Sequence, residues 1–261
     1  MSPKSICRRS CGVGAAGAFV ALFLSVTTTA SEMRAQQVPV VRPTETIVLF
    51  NGKNLDGFYT YLETNKYKDP KHVFTVKDGV LRVSGEEWGG LTWAPREDSA
   101  RDSGILVHGT GPDGAASRKW LESIEYQVIE GGVGDFILVA GRERPLLTVE
   151  TREGPHGQLY WHKGGPPQTR DRGRFNWYGR DPEWKDVHGF RGRGDVAKPA
   201  GEWNRSEVIC DGDTITAMVN GTVVNRGTAC SLTQGKIQLQ SEGAEILIRK
   251  VELLPLGSSA K

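Results

Sequence analysis

The chain has 261 residues, and 33 Lys and Arg against 31 Asp and Glu leave a net charge of +2. With both signs interspersed, it lacks the field that holds nucleic acid or an anionic membrane surface. An apolar share of 38% with 33 Gly excludes disorder and fibrous repeats, and this much Gly beside 13 Pro favours short strands joined by turns over long helices.

At the amino terminus Lys4, Arg8 and Arg9 precede an apolar run from Ala15 to Val26 and small residues from Thr27 to Ala30. This is the order of a secretory signal peptide. The apolar run falls short of the roughly 20 residues that cross a bilayer. Residues 1–30 are therefore expected to be cleaved, after Ala30 or Ala35, from an exported protein that is periplasmic or extracellular and not stably inserted in a membrane. Removing those three cations leaves 30 basic against 31 acidic residues. Cys7 and Cys11 precede the apolar run, where a lipid-anchoring cysteine would follow it. Residues 31–44 are polar, contain two prolines and suit a linker.

From Thr46 onward, short apolar runs alternate with turn signals. Thr46–Phe50 opens the series. Val73–Val76 and Val80–Ser84 flank Asp78-Gly79, a strong hairpin signal. Further strands are expected at Ser103–His108, Ser123–Ile129, Phe136–Ala140, Leu146–Glu150 and Glu207–Cys210. A second hairpin joins Ile215–Val219 to Thr222–Val224 through Asn220-Gly221, and alternation recurs at Ile237/Leu239 and Ile246/Ile248. About ten strands without a long helix predict an all-β, antiparallel β-sandwich or jelly roll over residues 45–256, with a short tail at 257–261. Residues 155–199, rich in Gly, Pro, Arg and aromatics, read as a long functional loop. Cys210 and Cys230, the cysteines of the mature chain, are close enough in this order of strands to form a disulfide or to stay as two small buried thiols.

Candidate chemistry concentrates on two strands. In Ser123–Glu130 the period of two puts Ile124, Tyr126 and Val128 on one face and Glu125 and Gln127 on the other. A carboxylate beside an amide, opposite a core face, can line a sugar groove with Glu125 as base or nucleophile; a solvated outer face has the same pattern. Arg101 and Asp102 open the strand that ends at His108, and alternation puts Asp102, Gly104, Leu106 and His108 on one face. Trp161 and the run Phe175–Trp184, with Trp177, Tyr178 and Trp184, offer rings for the apolar face of a sugar. They fit equally a small core that stiffens the loop. His72, His156, His162 and His188 have no metal-ligand spacing. The cofactor stays open: a divalent cation such as Ca²⁺ held by scattered oxygens would leave no sequence signature.

The ordered set Phe50-Asn51-Gly52-Lys53-Asn54-Leu55-Asp56-Gly57-Phe58, Val76–Leu81, Asp102–Ile105, Glu125-Tyr126-Gln127-Val128, Gly201–Asn204, Val219-Asn220-Gly221 and Ile248–Leu253 resembles the 3-keto-disaccharide hydrolase domain family. The resemblance covers about Thr46 to Leu256. It implies a concanavalin A-like jelly roll, export from a bacterial cell, and hydrolysis of glycosidic bonds in sugars oxidised at C3, with an oligosaccharide or glycoside as the binding partner. One departure stands out. After Trp88-Gly89-Gly90-Leu91 the chain passes directly to Thr92–Asp98, and a family-typical strand of roughly twenty residues with its approaches is missing.

A ketone at C3 acidifies the hydrogen at C2, and the glycosidic oxygen on C1 is β to that carbonyl. A base, Glu125 or else His108, can take the C2 proton while Arg101 or a bound cation offsets the enolate charge, after which water adds at C1. Direct hydrolysis by Glu125 and Asp102 is the competing route. On this chemistry the catalytic candidates are Glu125, His108 and Asp102, and the substrate-binding candidates are Arg101, Gln127, Trp161, Trp177, Tyr178 and Trp184. A jelly roll also serves non-catalytic carbohydrate-binding modules, and an extracellular interaction domain would present a broad exposed apolar patch instead of a groove. Oligomeric state has no sequence signal here.

Overall fold

A computed structural model describes residues 42–89, 91–92 and 102–257. The expected signal peptide, nearly all of the linker, Arg101, most of the segment at the family departure and the last four residues lie outside the described residues. Among those described, the regular structure is antiparallel β apart from one turn of 3₁₀ helix at Pro155–Gly157.

Two sheets form a sandwich. One runs in the order Gly173–Phe175, Phe136–Val139, Glu122–Ile129, Asp102–Thr110, Lys236–Leu239. The other runs Leu159–Trp161, Leu147–Glu153, Thr222–Thr228, Thr214–Val219, Ser206–Asp211, with Pro167–Arg170 also paired to Leu147–Glu153. Alternation decides what lies between them. Val107, Ile124, Tyr126, Phe136, Leu138 and Phe175 from the first sheet meet Leu147, Val149, Ile215, Ala217, Val219 and Val224 from the second in one buried cluster. Tyr126 spans the layer and donates its hydroxyl to Ser206 Oγ at 2.9 Å, which satisfies the one polar atom it carries into the core. This is the expected antiparallel sandwich.

A three-stranded sheet, Ile246–Ile248, Val80–Val83 and Phe74–Lys77, builds a second cluster on Phe50, Leu81 and Val83. Its hairpin has Asp78 and Gly79 both at positive φ, as does the Asn220-Gly221 turn, so both two-residue loops match the twist of their strands. Ile47–Val48 pairs with Glu252–Leu253 and ties the two ends of the domain together.

Three expectations need correction. Residues 155–199 are not one loop, because Leu159–Trp161, Pro167–Arg170 and Gly173–Phe175 are strands; their Gly and Arg content hid short edge strands. Ile237 is 42% exposed, so its alternation with Leu239 does not point both residues at a core. A β-bulge between Val107 and Thr110, with His108 at φ 55°, breaks the face shared by Asp102, Gly104 and Leu106 before it reaches His108. Cys210 and Cys230 are free thiols, both packed in or against the sandwich core, and burial pushes the Cys210 thiol up to about 12.

Candidate active site

The face of the first sheet that turns away from the core holds a row of side chains across all five strands. Register pairs Gln238 with Leu106, Leu106 with Glu125, Glu125 with Ile137, and Ile137 with Arg174; directly opposed residues share a face. In the neighbouring rungs Gly104 pairs with Gln127 and Asp102 with Ile129, while the Gln240 amide donates to Gly104 O at 2.9 Å. Glu125, Gln127 and Asp102 therefore come together as the alternation requires. The face is not solvated: Glu125 is 4% and Gln127 5% exposed.

Burial without full pairing sets the electrostatics. Gln127 Nε2 donates to both Asp102 oxygens at 3.1 Å, and Gln240 Nε2 to Glu125 Oε2 at 3.4 Å. Glu125 Oε1, Gln127 Oε1 and Gln240 Oε1 are buried acceptors with no donor, an arrangement that costs stability unless a ligand or water supplies one. Loss of solvation, reinforced by Asp102, pushes the Glu125 carboxyl up to about 8. The same loss of solvation lifts Asp102 to about 6 and, with Asp102 and Glu125 as like-charged neighbours, Glu242 to about 9. These three acids titrate as a set, in which each ionisation opposes the next. Arg174 is the cation that favours the charged form of all three. It is held by Asp135 at 2.5 Å, and Asp135 also binds Arg180 and accepts from Trp177 N at 2.7 Å.

Arg101 lies outside the described residues, and the other candidates find their partners away from this cluster. His108 Nδ1 bonds Leu232 O at 2.6 Å, and burial holds the ring below its ordinary value; its bond is to the main chain at the sandwich edge. Trp177 is 1% exposed, belongs to the core and donates Nε1 to Gly131 O. Trp161 packs against that core and, edge to face, on Tyr178, the more exposed ring of the pair. Trp184 donates to Glu130 O at 2.7 Å and stacks under the Arg180 guanidinium. These rings stiffen the segment that carries Arg174 and Arg180, and none stands beside Glu125.

Sequence reading missed Arg174, Gln240 and Glu242. Arg174 sits in an Arg-rich segment, beside Arg170 and Arg172, with no period to set it apart. Gln240 was detectable, since alternation with Leu239 puts Gln238 and Gln240 on the face opposite Leu239. Trp88 and Trp120 were also missed as a pair: their rings lie 5.7 Å apart, Lys119 stands 4.1 Å over Trp88, and its charge acts on Glu242. Among the described residues no three His, Cys, Asp or Glu side chains form a metal-binding cluster.

The family model described as a 3-keto-alpha-glucoside-1,2-lyase-like domain matches residues 45–254. A solved structure described as a "putative glycosyl hydrolase", from Parabacteroides distasonis ATCC 8503, is 19% identical over 81% of this chain and 94% of its own, with a TM-score of 0.43. No curated protein matches the chain.

Proposed function

The chain belongs to the 3-keto-alpha-glucoside-1,2-lyase-like domain family, and from that membership we propose that it cleaves glycosides oxidised at C3 by elimination across C1–C2 followed by hydration. The observation that carries the reading is Glu125: a buried carboxyl with one unpartnered oxygen, poised to ionise near pH 8. A general base works best when its pKa lies near the working pH.

Ionised Glu125 takes the C2 hydrogen, and the electron pair forms an enolate with its charge on O3. Arg174 is the cation in place to offset that charge. Collapse of the enolate restores the C3 ketone, forms the C1–C2 double bond and expels the glycosidic oxygen, which takes a proton. Glu242, raised to about 9 by burial and its acidic neighbours, is the acid that can supply it. Water then adds its oxygen at C1 and a hydrogen at C2, so the net change is hydrolysis. Direct displacement by Glu125 and Asp102 is less favoured, because both Asp102 oxygens are taken up by Gln127. Export belongs to the same proposal, supported by Lys4, Arg8 and Arg9 ahead of the apolar run Ala15–Val26; no helix among the described residues is long and apolar enough to cross a membrane.

The test is release of phenol from a 3-keto aryl glucoside by purified protein, parent against Glu125→Gln, with and without chelator. A loss beyond about tenfold in the variant supports Glu125 as base, since general-base removal costs about 10²–10⁴. Sugar binding without release by the parent would instead make the chain a carbohydrate-binding module. Loss of release on chelation would move the enolate's counter-charge from Arg174 to a divalent cation at the open oxygens.

A further inference from the structure

Gln240 is anchored beside Glu125 through its main chain. It is 1% exposed; its main-chain N–H donates to Gly104 O and its carbonyl accepts from Ser103 Oγ at 3.0 Å. With Nε2 turned to Glu125 Oε2, its own Oε1 is left buried and without a donor, as is Glu125 Oε1. Both free oxygens crowd the place where a β-carbon of residue 104 would stand, so the absence of a side chain at Gly104 lets them lie side by side.

Two acceptors side by side, one of them able to take a proton, suit a carbon that carries both a hydrogen and a hydroxyl. The C2 atom of a 3-keto sugar is such a carbon. We propose that Gln240 positions the base Glu125 and, through Oε1, accepts a hydrogen bond from the C2 hydroxyl of the substrate, so that the C2 hydrogen is turned toward Glu125 Oε1. This inference rests on the elimination reading of Glu125. Gln240 takes no proton and forms no bond to carbon; it holds the hydroxyl while Glu125 removes the hydrogen. In a site closed to water such a bond also discriminates, because a substrate without the hydroxyl leaves a buried acceptor unpaired.

The experiment compares the parent with Gln240→Leu on 3-keto aryl glucosides that carry or lack the C2 hydroxyl. Each change alone is expected to lower kcat about tenfold or more, as the loss of a buried hydrogen bond does. In the variant, loss of the C2 hydroxyl is expected to cost little more than Gln240→Leu alone, since the hydroxyl's partner is already gone. The acid limb of the pH–rate profile is expected to move up in the variant. Around Glu125, Asp102, Glu242 and Asp135 oppose its ionisation while Arg174 and the Gln240 amide favour it, and only the amide is removed. Fully multiplicative losses with an unmoved limb would overturn the proposal.

Should Gln240→Leu fail to fold, Gln240→Glu keeps the shape and adds a fourth acid, and the limb should rise further. Infrared titration of the Glu125 carboxyl, assigned by its loss in Glu125→Gln, keeps the two readings separable. A parent inactive on every 3-keto glycoside refutes the elimination reading alone, whereas an unshifted Glu125 titration in both Gln240 variants refutes the positioning role whatever the activity.

Discussion

A carboxyl buried as deeply as Glu125 should make the fold weaken as the solution becomes alkaline. Its ordinary value is 4.5 and its value in the fold is about 8. Between those limits the folded chain binds more protons than the unfolded chain, so stability falls as pH rises. Each pH unit in that window costs about 1.4 kcal/mol, or about 5 kcal/mol in all if Glu125 alone is considered. Asp102 and Glu242, raised to about 6 and about 9, act in the same direction. Glu125→Gln keeps the shape and removes the ionisation. It should therefore be close to neutral at pH 5 and should raise the melting temperature at pH 9 by roughly 10–20 °C, at about 2–4 °C per kcal/mol for a domain of this size. Thermal unfolding followed by circular dichroism at pH 5, 7 and 9 reads this directly. Equal slopes for parent and variant, or a parent more stable at pH 9 than at pH 5, would refute the reasoning. The substitution that slows turnover would thus strengthen the fold, which is how strain kept for function behaves.

Three further outcomes follow from the site. Arg174→Met should lower kcat by about 10²–10³, the loss typical of removing a charge-stabilising donor, while Arg180 keeps Asp135 paired and the melting temperature near that of the parent. Trp177→Ala should destabilise by about 3–5 kcal/mol, as deletion of a large core side chain does, whereas Tyr178→Ala, at a partly exposed ring, should cost far less; chemical denaturation of both separates core from platform. His108→Gln should leave turnover within a few-fold of the parent, because the imidazole is bonded to Leu232 O and stands apart from Glu125; a loss comparable to that of Glu125→Gln would return it to the chemistry.

Period-two alternation was enough to place Ile124, Tyr126 and Val128 in the core and Glu125 and Gln127 on the opposite face, because a strand leaves only two choices. The Asp78-Gly79 and Asn220-Gly221 turns were equally legible, since few residue pairs accept positive φ twice in succession. Sequence could not reveal the bulge at His108, which depends on how Asp102–Thr110 pairs with Glu122–Ile129. Nor could it tell that Trp177 fills the core while Trp88 and Trp120 lie toward the acids, because an aromatic run looks the same in either place. Arg174, Gln240 and Glu242 reach Glu125 from strands or turns far along the chain, and such long-range convergence is set by topology, not by local pattern.

Elimination removes the C2 hydrogen, and direct displacement leaves it in place. The direct measurement is cleavage of a 3-keto glucoside in D₂O, with the deuterium content at C2 of the released 3-keto sugar read by NMR. Elimination and hydration by way of Glu125 predicts one deuterium at C2 in every turnover, and turnover slowed by about 10²–10⁴ with Glu125→Gln. Product that retains its C2 hydrogen throughout would contradict the account and leave direct displacement at C1 in its place.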